Sequence, residues 1–130
     1  MATLALLIVG QDKLFPPTTA GKIPNGVIEN RKATQDEKSR NRKLAKDYAS
    51  AGWDWRGREW ECLKSLWTRE SRFDNYAKNR QGSSAYGIAQ LLREKDYRSE
   101  YQILRGLKYI DSRYGSPCKA YKFFLRNNYY

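Results

Sequence analysis

Residues 66–92 read LWTRESRFDNYAKNRQGSSAYGIAQLL, and the placing of one carboxylate in that stretch, Glu70, decides how the chain is read. Trp60, Leu63, Leu66 and Trp67 recur at helical spacing, which predicts a helix over residues 57–71 with one apolar stripe. At about 100° per residue Glu70 falls between Leu63 and Leu66 and beside Trp67, so it projects into that stripe. A carboxyl among apolar groups loses hydration, which disfavours the charged form and raises its pKa toward what a general acid needs near neutral pH. The competing reading is a buried ion pair, but the adjacent Arg69 and Arg72 do not share its face. Downstream come Asp74, a polar loop, and the small-residue turn from Ala85 to Gln90. The run YGIAQLL, residues 86–92, predicts a third short helix with Ile88 and Leu92 on one face. Gly87 would let backbone approach a ligand closely, and Gln90 offers both a donor and an acceptor.

The rest of the chain frames this stretch. Its 130 residues, 40% of them hydrophobic, suit one small domain with one site. A formal charge of +11 favours an anionic partner, whether nucleic acid, cell-wall polymer or membrane surface. With no histidine present, Ser/His triads, Cys/His dyads and histidine metal sites are excluded. Cys62 and Cys118 are too few for a four-cysteine metal site and are either one disulfide or two buried thiols. The opening MATLALLIVG is shorter than the about 20 residues of a membrane span and lacks a basic leading region, so it reads as a buried strand or packed segment, with an export or anchoring role as the alternative.

Residues 11–33 hold three of the four prolines and read as an extended linker, which predicts a boundary near residue 33 and a domain over 34–130. Thr34 and Glu37 have capping-box spacing and open a mostly polar helix that ends near Gly52, with a thin apolar face of Leu44, Ala45 and Tyr48. The WDWRGREW run, residues 53–60, is either an exposed aromatic platform or a packed turn. A later helix carries Ile103, Leu104, Leu107, Ile110 and Tyr114 as one stripe and stops at Gly115. Ser116 and Pro117 then begin a last helix. No stretch alternates with period two, so the fold class is mostly α.

The run ESRFDNYAKNRQGSSAYGIAQLL resembles the E-S-x-F … G-A-x-G-L-x-Q-L signature of the soluble lytic transglycosylases, the peptidoglycan-cleaving branch of the lysozyme-like superfamily. The similarity extends over about residues 60–121, and the rest of the second helix with the run GLKYIDSRYGSPCKAY looks like the compact forms of actinobacteria and their phages. It implies a lysozyme-like α-helical domain behind an extended N-terminal segment. By the resemblance Glu70 is the sole catalytic acid/base, Ser71 the hydroxyl that follows it, Ser84, Tyr86, Gly87 and Gln90 part of the sugar groove, and Tyr121 the tyrosine of an A-Y-N motif. The chain departs from the pattern at Ser84, where glycine is usual, at Ala89 in place of methionine, and at Lys122 in place of asparagine.

The implied reaction cleaves the bond between N-acetylmuramic acid and N-acetylglucosamine without water, metal or cofactor. Glu70 protonates the glycosidic oxygen and then deprotonates the muramic acid C6 hydroxyl, closing a 1,6-anhydro ring. The implied partner is the peptidoglycan glycan strand, with no required nucleic acid. The implied place of action is the cell wall, the periplasm or the cell exterior, or, for a phage enzyme, the virion or the cytoplasm before release. Two other readings stand beside it. A hydrolytic muramidase would need a second carboxylate, Asp74, Glu94 or Asp96. A non-enzymatic binder would use the tryptophans and the basic excess to hold glycan or nucleic acid.

Overall fold

The computed structural model describes residues 30–79 and 82–130. Four helices and one very short hairpin make up its regular structure: α1 (Gln35–Trp53), α2 (Arg58–Ser71), β1 (Ala85–Tyr86), β2 (Leu91–Leu92), α3 (Ser99–Tyr114) and α4 (Pro117–Asn127). The mostly helical class follows the sequence reading. Thr34 caps α1 through its Oγ1, which accepts from the Glu37 N–H at 3.1 Å, while the Glu37 carboxylate accepts from the Thr34 N–H at 3.0 Å. Ser116 caps α4 and Pro117 occupies its first turn, where a missing N–H costs nothing. Gly115 ends α3 in the left-handed region.

α2 lies at the centre, packed mainly on α4, while α3 packs on both α1 and α4. The core gathers Leu63, Leu66 and Trp67 of α2 with Ile103, Leu107 and Ile110 of α3, all fully buried. Trp67 meets Phe73 edge-on, with ring centroids 6.3 Å apart. Gly106 makes this approach possible, since a Cβ there would stand 2.6 Å from Trp67 Cζ2 and 2.8 Å from the Ala89 methyl. The helix accepts a glycine, at a cost of roughly 0.5–1 kcal/mol against alanine, and the indole gains its seat. WDWRGREW is a packed turn: Trp55 is buried, Trp53 stacks on it at 5.7 Å, and the Trp53 indole N–H donates to Asp111 at 3.3 Å. Cys62 and Cys118 are bridged, which ties α2 to α4.

The predicted third helix does not form. Residues 85–92 instead make an antiparallel hairpin that pairs Ala85 with Leu92 and Tyr86 with Leu91. Gly87 (φ +81°) and Gln90 (φ +54°) are left-handed, which interrupts any helix. Backbone groups of the turn also find distant partners, Gly87 N–H donating to Ala77 O at 2.8 Å and Ile88 N–H to Gln102 Oε1 at 2.9 Å. Ile88 and Leu92 therefore part company, Ile88 fully buried and Leu92 70% exposed.

The reading of residues 1–29 as a linker and packed segment lies outside the described residues. Residues 30–33, placed before the predicted boundary, sit on the helical body. Ala33 is buried with its N–H on Asp74 Oδ1 at 3.1 Å, and the Arg31 guanidinium lies 4.5 Å from the Tyr76 ring centroid. Among the described residues no helix is long and apolar enough to cross a membrane.

Candidate functional site

Glu70 is the penultimate residue of α2, on the helix face that Leu63, Leu66 and Trp67 turn toward the core. Immediately beyond it the chain takes two successive left-handed residues, Arg72 (φ 57°) and Phe73 (φ 62°). That reversal drives Phe73 into the core and ends the helix, leaving the Glu70 carboxyl at the mouth of a cleft rather than beneath another turn. The cleft, about 220 Å³, is lined by Glu70, Asn79, Ser83, Ala85, Gln90 and Leu92 on one side and Asn128, Tyr129 and Tyr130 on the other.

Glu70 is half-buried and makes no hydrogen bond or ion pair with any described residue. Burial among apolar groups, with no compensating partner, pushes its carboxyl up to about 7. The arginines beside it do not neutralise it: Arg69 opens onto a separate depression on the flank of α2. The result is a carboxylic acid that holds its proton near neutral pH and can release it to a bound group, then recover one as a base.

The residues around Glu70 are held by backbone contacts that span the molecule. Ser71 Oγ donates to Ile88 O at 2.6 Å and accepts from the Phe73 N–H at 3.1 Å, clamping the end of α2 to the hairpin turn. Gln90 spends both amide hydrogens on carbonyls, Ala77 O and Gly87 O, each at 2.9 Å, so the group it can offer the cleft is Oε1, an acceptor. Gly87, expected to face a ligand, faces Gln102 instead. A Cβ at 87 would lie 2.4 Å from Gln102 Cδ, and that side chain also binds Asn75 O at 2.9 Å and Asp96 O at 2.7 Å. Gly87→Ala combines a positive φ with displacement of this brace, so a loss of roughly 3 kcal/mol is expected in chemical denaturation.

Three other expected site residues do not line the cleft. Tyr86 is buried, its hydroxyl has no hydrogen-bond partner, and burial raises it to about 12. Ser84 is exposed and its Oγ accepts from the Arg93 N–H at 3.1 Å, a hairpin contact. Tyr121 lines the depression with Arg69 on the outer flank, because α4 carries it around the far side of α2.

The carboxylates weighed as second acids are all engaged elsewhere. Asp74 accepts from the Ala33 and Tyr76 N–H groups, at 3.1 and 2.8 Å. Glu94 holds Arg105 in two bonds of 2.8 and 2.7 Å, and Asp96 holds Arg98 at 2.9 Å. Among the described residues Glu70 is the only acidic side chain lining the cleft, and none of their clusters of His, Cys, Asp and Glu could hold a metal ion.

No known family model, curated protein or solved structure matches this chain.

Sequence reasoning missed the opposite wall. Asn128 ends α4 in the left-handed region (φ 62°), its N–H on Phe124 O at 2.7 Å, and turns Tyr129 and Tyr130 back over Glu70. The signal was the Asn-Asn pair closing a helix, a composition that favours such a cap. Tyr130 accepts from the Trp67 indole N–H at 2.9 Å and donates to Ala89 O at 2.7 Å, so one hydroxyl joins α2, the hairpin turn and the tail. Burial first, and then the Glu70 charge, raise this hydroxyl well above its usual range, which keeps it protonated as that donor. Tyr130→Phe leaves the indole N–H and a carbonyl unpaired. A destabilisation of about 1–3 kcal/mol, read from urea unfolding, is the expected result.

Proposed function

We propose that the chain is a lysozyme-like peptidoglycan lytic transglycosylase that cleaves the β-1,4 bond between N-acetylmuramic acid and N-acetylglucosamine. One observation carries the reading: an unpaired, desolvated Glu70 stands at the wall of an open cleft that no second Asp or Glu side chain of the described residues lines. A glycosidase that uses water normally sets two carboxylates about 5–9.5 Å apart across the bond. A transglycosylase needs one, because the substrate's own C6 hydroxyl replaces water. Glu70, protonated near pH 7, gives its proton to the glycosidic oxygen as the C1–O bond breaks, and the substrate's acetamido group stabilises the positive charge at C1. The Glu70 carboxylate then takes the C6 hydroxyl proton while O6 bonds to C1, which closes the 1,6-anhydro ring and returns the acid form.

The surroundings support this chemistry. Gln90 Oε1 can accept from a sugar hydroxyl or N-acetyl N–H, and the exposed Leu92 and Tyr129 offer apolar surface to the sugar ring faces. A positive surface suits an anionic wall and raises the encounter rate in a salt-sensitive way. The Cys62–Cys118 bridge suits an oxidising compartment such as the cell exterior or periplasm, the place where the glycan strand is met. The test is mass spectrometry of products released from purified peptidoglycan. Muropeptides ending in 1,6-anhydro-muramic acid are expected, and reducing-end muramic acid would replace this reading with hydrolysis.

A further inference from the structure

On the flank of α2, away from Glu70, Arg42 of α1, Lys64, Ser65, Thr68 and Arg69 of α2, and Tyr121 of α4 surround an open depression of about 500 Å³. Residues 64, 65, 68 and 69 share one helix face, so the concavity is built where three helices meet. Its lining holds three cations and no carboxylate. Lys64 is paired with Glu61 at 2.9 Å, whereas Arg42 and Arg69 are exposed and form no ion pair with a described residue. The Ser65 and Tyr121 hydroxyls stand among the cations as additional donors. We propose that this depression binds the phosphates of an anionic phosphodiester polymer of the cell wall, holding the protein on its substrate while Glu70 works on the neighbouring glycan.

Charge complementarity favours a polyanion, and the aromatic content decides which. A nucleic-acid strand gains much of its affinity by stacking bases on exposed rings. The one ring here, Tyr121, already stacks on Phe124 with centroids 6.5 Å apart and 13° between planes. Phosphates on a flexible polyol chain need no stacking platform, only the guanidinium forks and hydroxyls that line this depression. A polymer held here keeps the protein on the wall and so raises the local concentration of glycan for the separate Glu70 cleft. The polymer's identity as a wall component rests on the transglycosylase reading; the phosphate-binding chemistry does not.

The probe is poly(glycerol phosphate), which has no glycosidic bond to cleave, so its binding is measured independently of catalysis. The wild-type chain and the Arg42→Gln/Arg69→Gln variant are titrated across a salt series, beside a single-stranded oligonucleotide of equal charge. The variant is expected to bind the polymer at least tenfold more weakly and to flatten the dependence of log affinity on log salt by about 1.5–2, the contribution of two phosphate contacts. It is also expected to release products from polymer-free glycan at the parental rate, since neither arginine lines the Glu70 cleft. No binding by the wild-type chain at low salt, or parental affinity and salt dependence in the variant, would overturn the proposal. Equal affinity for the oligonucleotide, with equal loss in the variant, would assign the depression to nucleic acid instead. Failure of glycan cleavage alone would remove the transglycosylase reading and leave the polymer measurement standing.

Discussion

Glu70→Gln is expected to reduce release of 1,6-anhydro products by about 10²–10⁴-fold while making the folded protein more stable above neutral pH. Both effects have the same origin. The carboxyl of Glu70 is raised from 4.5 to about 7 by burial without a partner, so the folded state binds its proton more tightly than the unfolded chain does. The stability that this proton confers is fully present below pH 4.5 and is lost as pH rises to about 7; above that the folded protein carries a poorly solvated charge. Glutamine has the same shape and no charge to desolvate. Because Glu70 is only half-buried and solvent screens it, the gain at pH 8 should be about 1–2 kcal/mol rather than the full value of the shift. It should vanish at pH 4. The paired measurement is thermal melting at the two pH values alongside product release, and wild-type activity should decline as pH rises through about 7. A Glu70→Gln protein that cleaves glycan at the parental rate would place the proton donor elsewhere.

Removing the Cys62–Cys118 bridge is expected to cost about 2–4 kcal/mol. The two cysteines are 56 residues apart, and a loop of that length closed in the unfolded chain corresponds to about 4 kcal/mol on the chain-entropy model, with measured values commonly lower. Against a total stability of about 5–15 kcal/mol this is a large share, yet not enough to prevent folding at 25 °C. Melting of the Cys62→Ser/Cys118→Ser double variant, or of wild type under reductant, should fall by roughly 10 °C or more. The effect reaches the cleft as well, since α4, bridged to α2, leads directly into the Tyr129–Tyr130 wall. An unchanged melting temperature would mean that packing of α4 on α2 is sufficient without the covalent tie.

Much of the helical frame was legible because its signals are local. The Thr34 to Glu37 capping box, the Ser116-Pro117 start and the Gly115 stop act through residues within one turn, so pattern and structure coincide. The Leu63, Leu66 and Trp67 stripe located Glu70 for the same reason, since a helix face is set by residue spacing alone. Residues 86–92 failed as a helix because their hydrogen bonds go to Ala77 and Gln102, partners that no local pattern names. Gly87 and Gln90 were picked out as site residues; Gly87 is required by a buried glutamine, whereas Gln90 lines the cleft with its amide hydrogens held by two carbonyls.

By itself, then, the sequence determined a mostly helical chain, the exclusion of histidine chemistry, and an inward-facing carboxylate at the end of α2. Only the tertiary structure decided what surrounds that carboxylate. It bridged Cys62 to Cys118, engaged Asp74, Glu94 and Asp96 away from the cleft, carried Tyr121 to the outer flank, and brought Tyr130 to the inner wall. The physical reason is the range of the forces involved: helix periodicity and capping act within a few residues, whereas the desolvation that raises Glu70 comes from groups that become its neighbours only when α2, the hairpin and the tail after α4 pack together.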